Sequence, residues 1–265
     1  MISVTTAQLY AWVAAFVWPL TRILGLLALA PPFGNSTVPM QVKLLLGVAL
    51  TLIISPTIAS FPAIEPGSMA GLLIMAQQFL IGLSMGMAMR IVFAAVEGAG
   101  EMISSTMGLG FAVFFDPSTQ GRTSAISQVI ALLATLVFLS INGHLVLLAT
   151  LANSFQTLPI SAAPVTAEGF HQLALWGGLV FSMGLQLSLP VLVALLITNM
   201  ALGILTRAAP QLNLFGVGFP ITLSAGFTLI ALALPYMITP LEHFLQSGIE
   251  MVRMLGSVPP IVFKP

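Results

Sequence analysis

The charged residues of this chain are so far apart that the intervals between them decide what it can fold into. Uncharged stretches of 21 residues (1–21), 20 (23–42), 21 (44–64), 24 (66–89), 45 (123–167), 38 (169–206) and 34 (208–241) separate them. A helix that crosses a bilayer needs about 20 predominantly apolar residues, and each of these stretches supplies that length. Seven Lys plus Arg balance seven Asp plus Glu, and 58% of the residues are hydrophobic against 5% charged. An average soluble domain carries about 25% charged residues, so this chain has too little polar surface to cover a core in water. Its hydrophobicity equally excludes a disordered chain. The neutral balance offers no basic patch for nucleic acid, and none is expected as a partner. Cysteine is absent, which removes disulfides, thiolate metal ligands and a thiol nucleophile. Residues 1–8 hold no Lys or Arg, so the positive region of a cleaved leader is missing and the first apolar run is expected to be retained.

Proline and turn residues divide the chain into about six apolar segments. They run from about Leu9 to Ala30, Pro39 to Ala59, Met69 past Val96, Ala125 to Leu151, Leu173 to Leu205, and Leu214 to Leu234. Proline lacks the amide donor and clashes with the preceding turn, so Pro31-Pro32, Pro235 and Pro240 read as stops and Pro190 as a kink within a single long fifth helix. After Pro240 the pattern becomes amphipathic, with Ile238, Leu241, Leu245, Ile249 and Val252 at three- and four-residue steps. Such a tail either lies at an interface or packs on its own bundle. The expectation is an all-α, membrane-associated bundle of kinked helical hairpins.

Catalytic patterns are sparse. Gly82-Leu-Ser84-Met-Gly86 matches G-x-S-x-G, but that elbow works on a strand-to-helix turn and here it sits inside a helical run. An intramembrane serine protease would need His144 as the base; close packing of helices through small residues is the simpler use of Gly82 and Gly86. His144, His171 and His243 are scattered, so no metal site and no cofactor are expected, nor is the chain expected to be an enzyme. A small-molecule secondary transporter, with kinked helices and midplane charges, is an alternative from a different class.

Several polar residues interrupt the apolar segments. Arg90, Glu97 and Glu101 are seven and four residues apart, which on a helix places them within about 40° of one another. They form either a charge network at a subunit contact or along a conduction path, or a solvated turn outside the lipid. Arg22 lies deep in the first run and is expected to find a protein partner. Asn199, Gly203 and Arg207 repeat every four residues before Pro210, Gln211 and Asn213; this is either a face for close subunit packing or a helix end with local hydrogen bonds. Residues 107–124 carry Gly108, Gly110, Phe111, Phe114 and Phe115. A bulky apolar loop with glycine hinges can fill a hole and withdraw, or it can pack permanently as a re-entrant loop.

These same residues carry a family resemblance. Asn199-Met-Ala-Leu-Gly203-Ile-Leu-Thr-Arg207-Ala-Ala-Pro210-Gln-Leu-Asn213-Leu-Phe215 resembles the signature of the FliR family of flagellar type III secretion proteins. Glu97-Gly-Ala-Gly100, Met107-Gly-Leu-Gly-Phe-Ala112, Asp116-Pro117, and Arg22 followed by Ala30-Pro31-Pro32-Phe33 agree with it, so the likeness covers essentially the whole chain. The resemblance implies a single export-gate subunit packed in a spiral hetero-oligomer with FliP and FliQ, flanked by FlhB and FlhA, in the bacterial inner membrane at the flagellar basal body. It implies a half similar to FliP over about 1–124, carrying a plug at 107–124, and a half similar to FliQ over about 125–265. Gly108, Gly110, Phe111, Phe114 and Phe115 would then form the plug. Arg90, Glu97, Glu101, Asn199, Gly203, Arg207, Pro210, Gln211 and Asn213 would meet neighbouring subunits, with unfolded flagellar proteins as cargo and lipid at the periphery.

Overall fold

A computed structural model of the chain describes residues 5–111, 124–162, 167–209 and 218–257. The described residues are all-helical. Seven α-helices follow one another: α1 (Thr6–Leu29), α2 (Met40–Ile54), α3 (Met69–Thr106), α4 (Ala125–Ser140), α5 (Gly143–Thr157), α6 (Ala167–Ala208) and α7 (Phe219–Leu255), with short 3-10 turns at Ser55–Thr57 and Leu109–Phe111. Five helical stretches are long and apolar enough to cross a membrane, and six if α4 and α5 count as one bent span.

Two boundaries differ from the sequence expectation. The fourth segment is not one helix but two, α4 and α5, bent by 65°. At the bend Asn142 takes a left-handed conformation (φ 56°) directly before Gly143. Asn tolerates that region because its short polar side chain bonds locally, and Asn-Gly is a turn signal that an unbroken apolar run conceals. Conversely, Pro235 and Pro240 do not stop the sixth segment: both lie inside α7, which continues to Leu255. Proline's cost in a helix interior is offset in apolar bundles, where neighbouring groups satisfy the freed carbonyls. Pro190 likewise lies within the continuous α6, in line with a single fifth helix.

The chain forms two compact units, each drawing on both sequence halves. Unit 1 comprises Met1–Ile91, Ile141–Gly177 and Leu245–Pro265; unit 2 comprises Val92–Ser140 and Gly178–Phe244. In unit 1, α1 and the first part of α3 cross at backbone contact. A Cβ on Gly25 would lie 2.5 Å from the Phe79 carbonyl oxygen, one on Gly86 would lie 2.8 Å from that of Leu26, and one on Gly82 would overlap that of Arg22. Glycine is thus required on both helices for them to approach this closely. The Ser55 hydroxyl donates to the Ala15 carbonyl at 2.6 Å, tying the end of α2 to α1. Trp176 donates its indole N–H to the Ala88 carbonyl at 3.1 Å, fixing the start of α6 on α3. The amphipathic tail packs on its own bundle: Leu245, Ile249, Val252 and Leu255 are buried, and Gly256 accepts the Thr157 hydroxyl at 2.5 Å.

Arg22 is the centre of unit 1 and is fully buried. Nε donates to Gln78 Oε1 at 2.8 Å, one terminal nitrogen donates to the Ser154 carbonyl at 2.9 Å and to its Oγ at 3.1 Å, and the other donates to the Leu158 carbonyl at 2.9 Å. The guanidinium also sits 4.3 Å from the centre of the Phe155 ring. These acceptors are neutral. The positive charge is balanced by the carbonyls that leave the C-terminus of α5, where the helix dipole is negative, and by the face of an aromatic ring.

In unit 2, Phe93 and Phe138 meet edge to face with centroids 5.9 Å apart. A Cβ on Gly184 of α6 would lie 3.0 Å from the Ala95 carbonyl, and one on Gly100 of α3 would overlap the Ser127 Cα on α4. Glycine again sets how closely helices pack, here against the second part of α3.

Candidate functional site

The G-x-S-x-G pattern resolves into packing. Gly82 and Gly86 face the α1 backbone, and the Ser84 hydroxyl donates to the Ile81 carbonyl at 2.8 Å within its own helix. The buried Nδ1 of His144 has no hydrogen-bond partner among the described residues. No group of three or more His, Cys, Asp or Glu is placed to hold a metal among the described residues.

Three of the residues singled out in sequence, Glu97, Glu101 and Asn199, bond at the two ends of the 107–124 segment. Glu97 and Glu101 lie within α3 and not in a turn beyond it. The Glu101 carboxylate accepts the Ser124 N–H at 3.2 Å, and the Glu97 carbonyl accepts the Ser127 hydroxyl at 2.7 Å. Ser124 in turn caps α4 by accepting the Ser127 N–H on its Oγ at 3.2 Å. The segment therefore re-enters the bundle against the same helix that it left, three residues from where Gly100 makes room for Ser127.

The departing end is held as tightly. Helix termini leave carbonyls without an intrahelical donor. At the end of α3 the Thr106 carbonyl accepts Nδ2 of Asn199, from α6, at 3.1 Å. The Met107 carbonyl accepts the hydroxyl of Thr222, from α7, at 3.2 Å. Met107 is fully buried, and a Cβ on Gly226, one turn beyond Thr222, would lie 2.5 Å from its side chain. Gly108 follows in a left-handed conformation (φ 89°) that favours glycine. Gly110 is exposed, and no atom of the described residues lies within 4 Å of where its Cβ would stand. The Phe111 backbone ends the 3-10 turn. The Phe111 side chain, Phe114 and Phe115 lie outside the described residues, as do Pro210, Gln211 and Asn213.

Arg90 is exposed on α3 and has a polar or electrostatic contact of its own. Gly203 and Arg207 are exposed on α6, and no described atom lies within 4 Å of where a Cβ on Gly203 would stand. Of the Asn199–Gly203–Arg207 face, Asn199 bonds to the end of α3, a helix 93 residues away in sequence. Thr222, Gly226 and Ser127 escaped the sequence reading. A Thr and a Gly four residues apart on one helix face are the signal that was there to be read.

This arrangement fixes both ends of an apolar, aromatic segment to a helical scaffold. Residues 13–248 match the family described as Bacterial export proteins, family 1. The chain belongs to this family of export proteins. It is 41% identical to the flagellar biosynthetic protein FliR of Pectobacterium carotovorum over 252 residues, covering 95% of this chain and 96% of that protein. It is 39% identical to FliR of Escherichia coli K12 over 264 residues, 99% of this chain and 100% of the other. FliR of the distant Bacillus subtilis is 31% identical over 244 residues, 91% and 94% of the two chains.

Proposed function

We propose that this chain is a core subunit of the flagellar type III export gate, assembling with FliP and FliQ into the pore through which unfolded flagellar proteins leave the cell. On this reading it sits in the bacterial inner membrane at the basal body, with FlhB and FlhA as neighbours, and it uses no cofactor. The segment 107–124 is the plug. The observation that carries the reading is the pair of anchored ends described above, bracketing a segment rich in Phe and Gly: both stems are bonded to α3, α6 or α7, while Gly110 is exposed among the described residues. Apolar contact excludes water and ions, and because it is non-directional an unfolded chain can displace it. Arg90, Gly203 and Arg207, exposed on their helices, are the residues this reading assigns to neighbouring subunits, together with Pro210, Gln211 and Asn213. ATP and proton-motive force enter through other components.

The test is deletion of Gly110–Phe115. Ion leakage through the assembled gate should rise while FliP and FliQ still co-purify with the variant. Unchanged leakage with normal assembly contradicts the plug.

A further inference from the structure

The two stems of the loop are not equivalent. The returning stem is held by α3 itself, through Glu97 and Glu101. The departing stem is held by helices remote in sequence, with Asn199 93 residues and Thr222 115 residues from the carbonyls they bind. We propose that Asn199, Thr222 and Gly226 form a clamp that couples α6 and α7 to the root of the 107–124 loop, making Asn199 and Thr222 positioning residues for it. The consequence for sealing rests on the plug reading above; the clamp itself does not.

The chemistry of the two donors supports a clamp that opens. Asn199 offers an amide N–H to the Thr106 carbonyl at 3.1 Å. Thr222 has one hydroxyl hydrogen and two acceptors in reach, the Met107 carbonyl at 3.2 Å and the Phe219 carbonyl of its own helix at 2.9 Å. Rotation of that hydroxyl releases Met107 without leaving Thr222 unsatisfied. Gly226 leaves the room that the Met107 side chain occupies, so the same face of α7 both binds the carbonyl and houses the side chain. Directly after these two carbonyls comes Gly108 at φ 89°, where the backbone can turn at little steric cost. A displacement of α6 or α7 thus acts on the loop at its hinge. The converse also holds, since a coupling between two sites is reciprocal.

The chain has no cysteine, so a single M107C substitution, at a side chain that is fully buried in the clamp, gives a clean reporter of the loop root in the assembled gate. Labelling of M107C by a water-soluble maleimide should rise about fivefold on adding N199D or T222V, the shift expected from loss of one ordinary hydrogen bond. N199D keeps the shape but, when ionised, cannot donate; T222V removes the hydroxyl alone. If N199D does not assemble, T222V carries the test. Unchanged labelling in the assembled variants overturns the clamp, whatever the Gly110–Phe115 deletion does. Faster labelling together with no leak from the deletion leaves the clamp standing and removes the plug.

Discussion

A buried arginine without a carboxylate is the most costly residue in this fold, and its cost explains its surroundings. An isolated charge in an apolar interior is strongly unfavourable. Arg22 meets that cost with a planar fork matched to three acceptor positions at once: Gln78, Ser154 and Leu158. Lysine is a point donor and cannot span them. Arg22→Met should therefore leave the Gln78 amide oxygen and the Leu158 carbonyl unsatisfied, at about 1–3 kcal/mol each, while the Ser154 carbonyl keeps the Leu158 N–H. The detergent-solubilised protein is expected to lose several degrees or more in thermal midpoint. Arg22→Lys should recover only part of that loss. A midpoint equal to wild type for Arg22→Lys would show that the fork geometry is not what matters.

Among the elements, α3 is the one that others are built on. Of its most apolar 18-residue window 67% is buried, against 11% for α7. Its first part receives α1 through glycines and its second part receives α4 and α6 in the same manner. Gly82 is the tightest of these contacts, because its neighbour is the α1 backbone and not a side chain that can move aside. Gly82→Ala should force the helices apart and cost at least about 1–3 kcal/mol. The expected signs are faster proteolysis and a lower thermal midpoint, whereas a variant as resistant as wild type would mean that α1 and α3 do not cross here. The bend at Asn142 was readable as Asn-Gly, and the continuity of α7 through two prolines was not. Proline's local effect is legible in sequence, but whether the surroundings compensate for it is a tertiary matter.

For the whole molecule, the decisive quantity is how much apolar surface each unit leaves uncovered. In unit 2, Phe181 is 76%, Leu196 60%, Ile204 65%, Phe227 57% and Tyr236 78% exposed. An apolar surface this extensive needs lipid or a partner chain. With so few charges available, subunit association on the proposed reading is apolar and should tolerate salt. The complex with FliP and FliQ is expected to stay intact on gel filtration when ionic strength is raised to about 1 M, where the screening length falls to about 3 Å. Dissociation at high salt would show that Arg90 and Arg207 dominate the contact.

The sequence by itself determined the class and most of the elements. Fourteen charges set at wide intervals permit only apolar helices, because the hydrophobic pattern and length of a span are local properties of the chain. Its motif residues also announced the family. What only the tertiary structure decided is what those residues touch. Glu101 read as part of a charge network or of a solvated turn, and Asn199 as part of a subunit face or a helix end; their hydrogen bonds run to Ser124 and Thr106, at the two ends of one loop. Arg22 read as needing a protein partner, and that partner is the end of a helix about 130 residues away. A polar group in an apolar surrounding must be satisfied, and sequence states that need. Which donor or acceptor meets it depends on how helices remote in sequence are brought side by side.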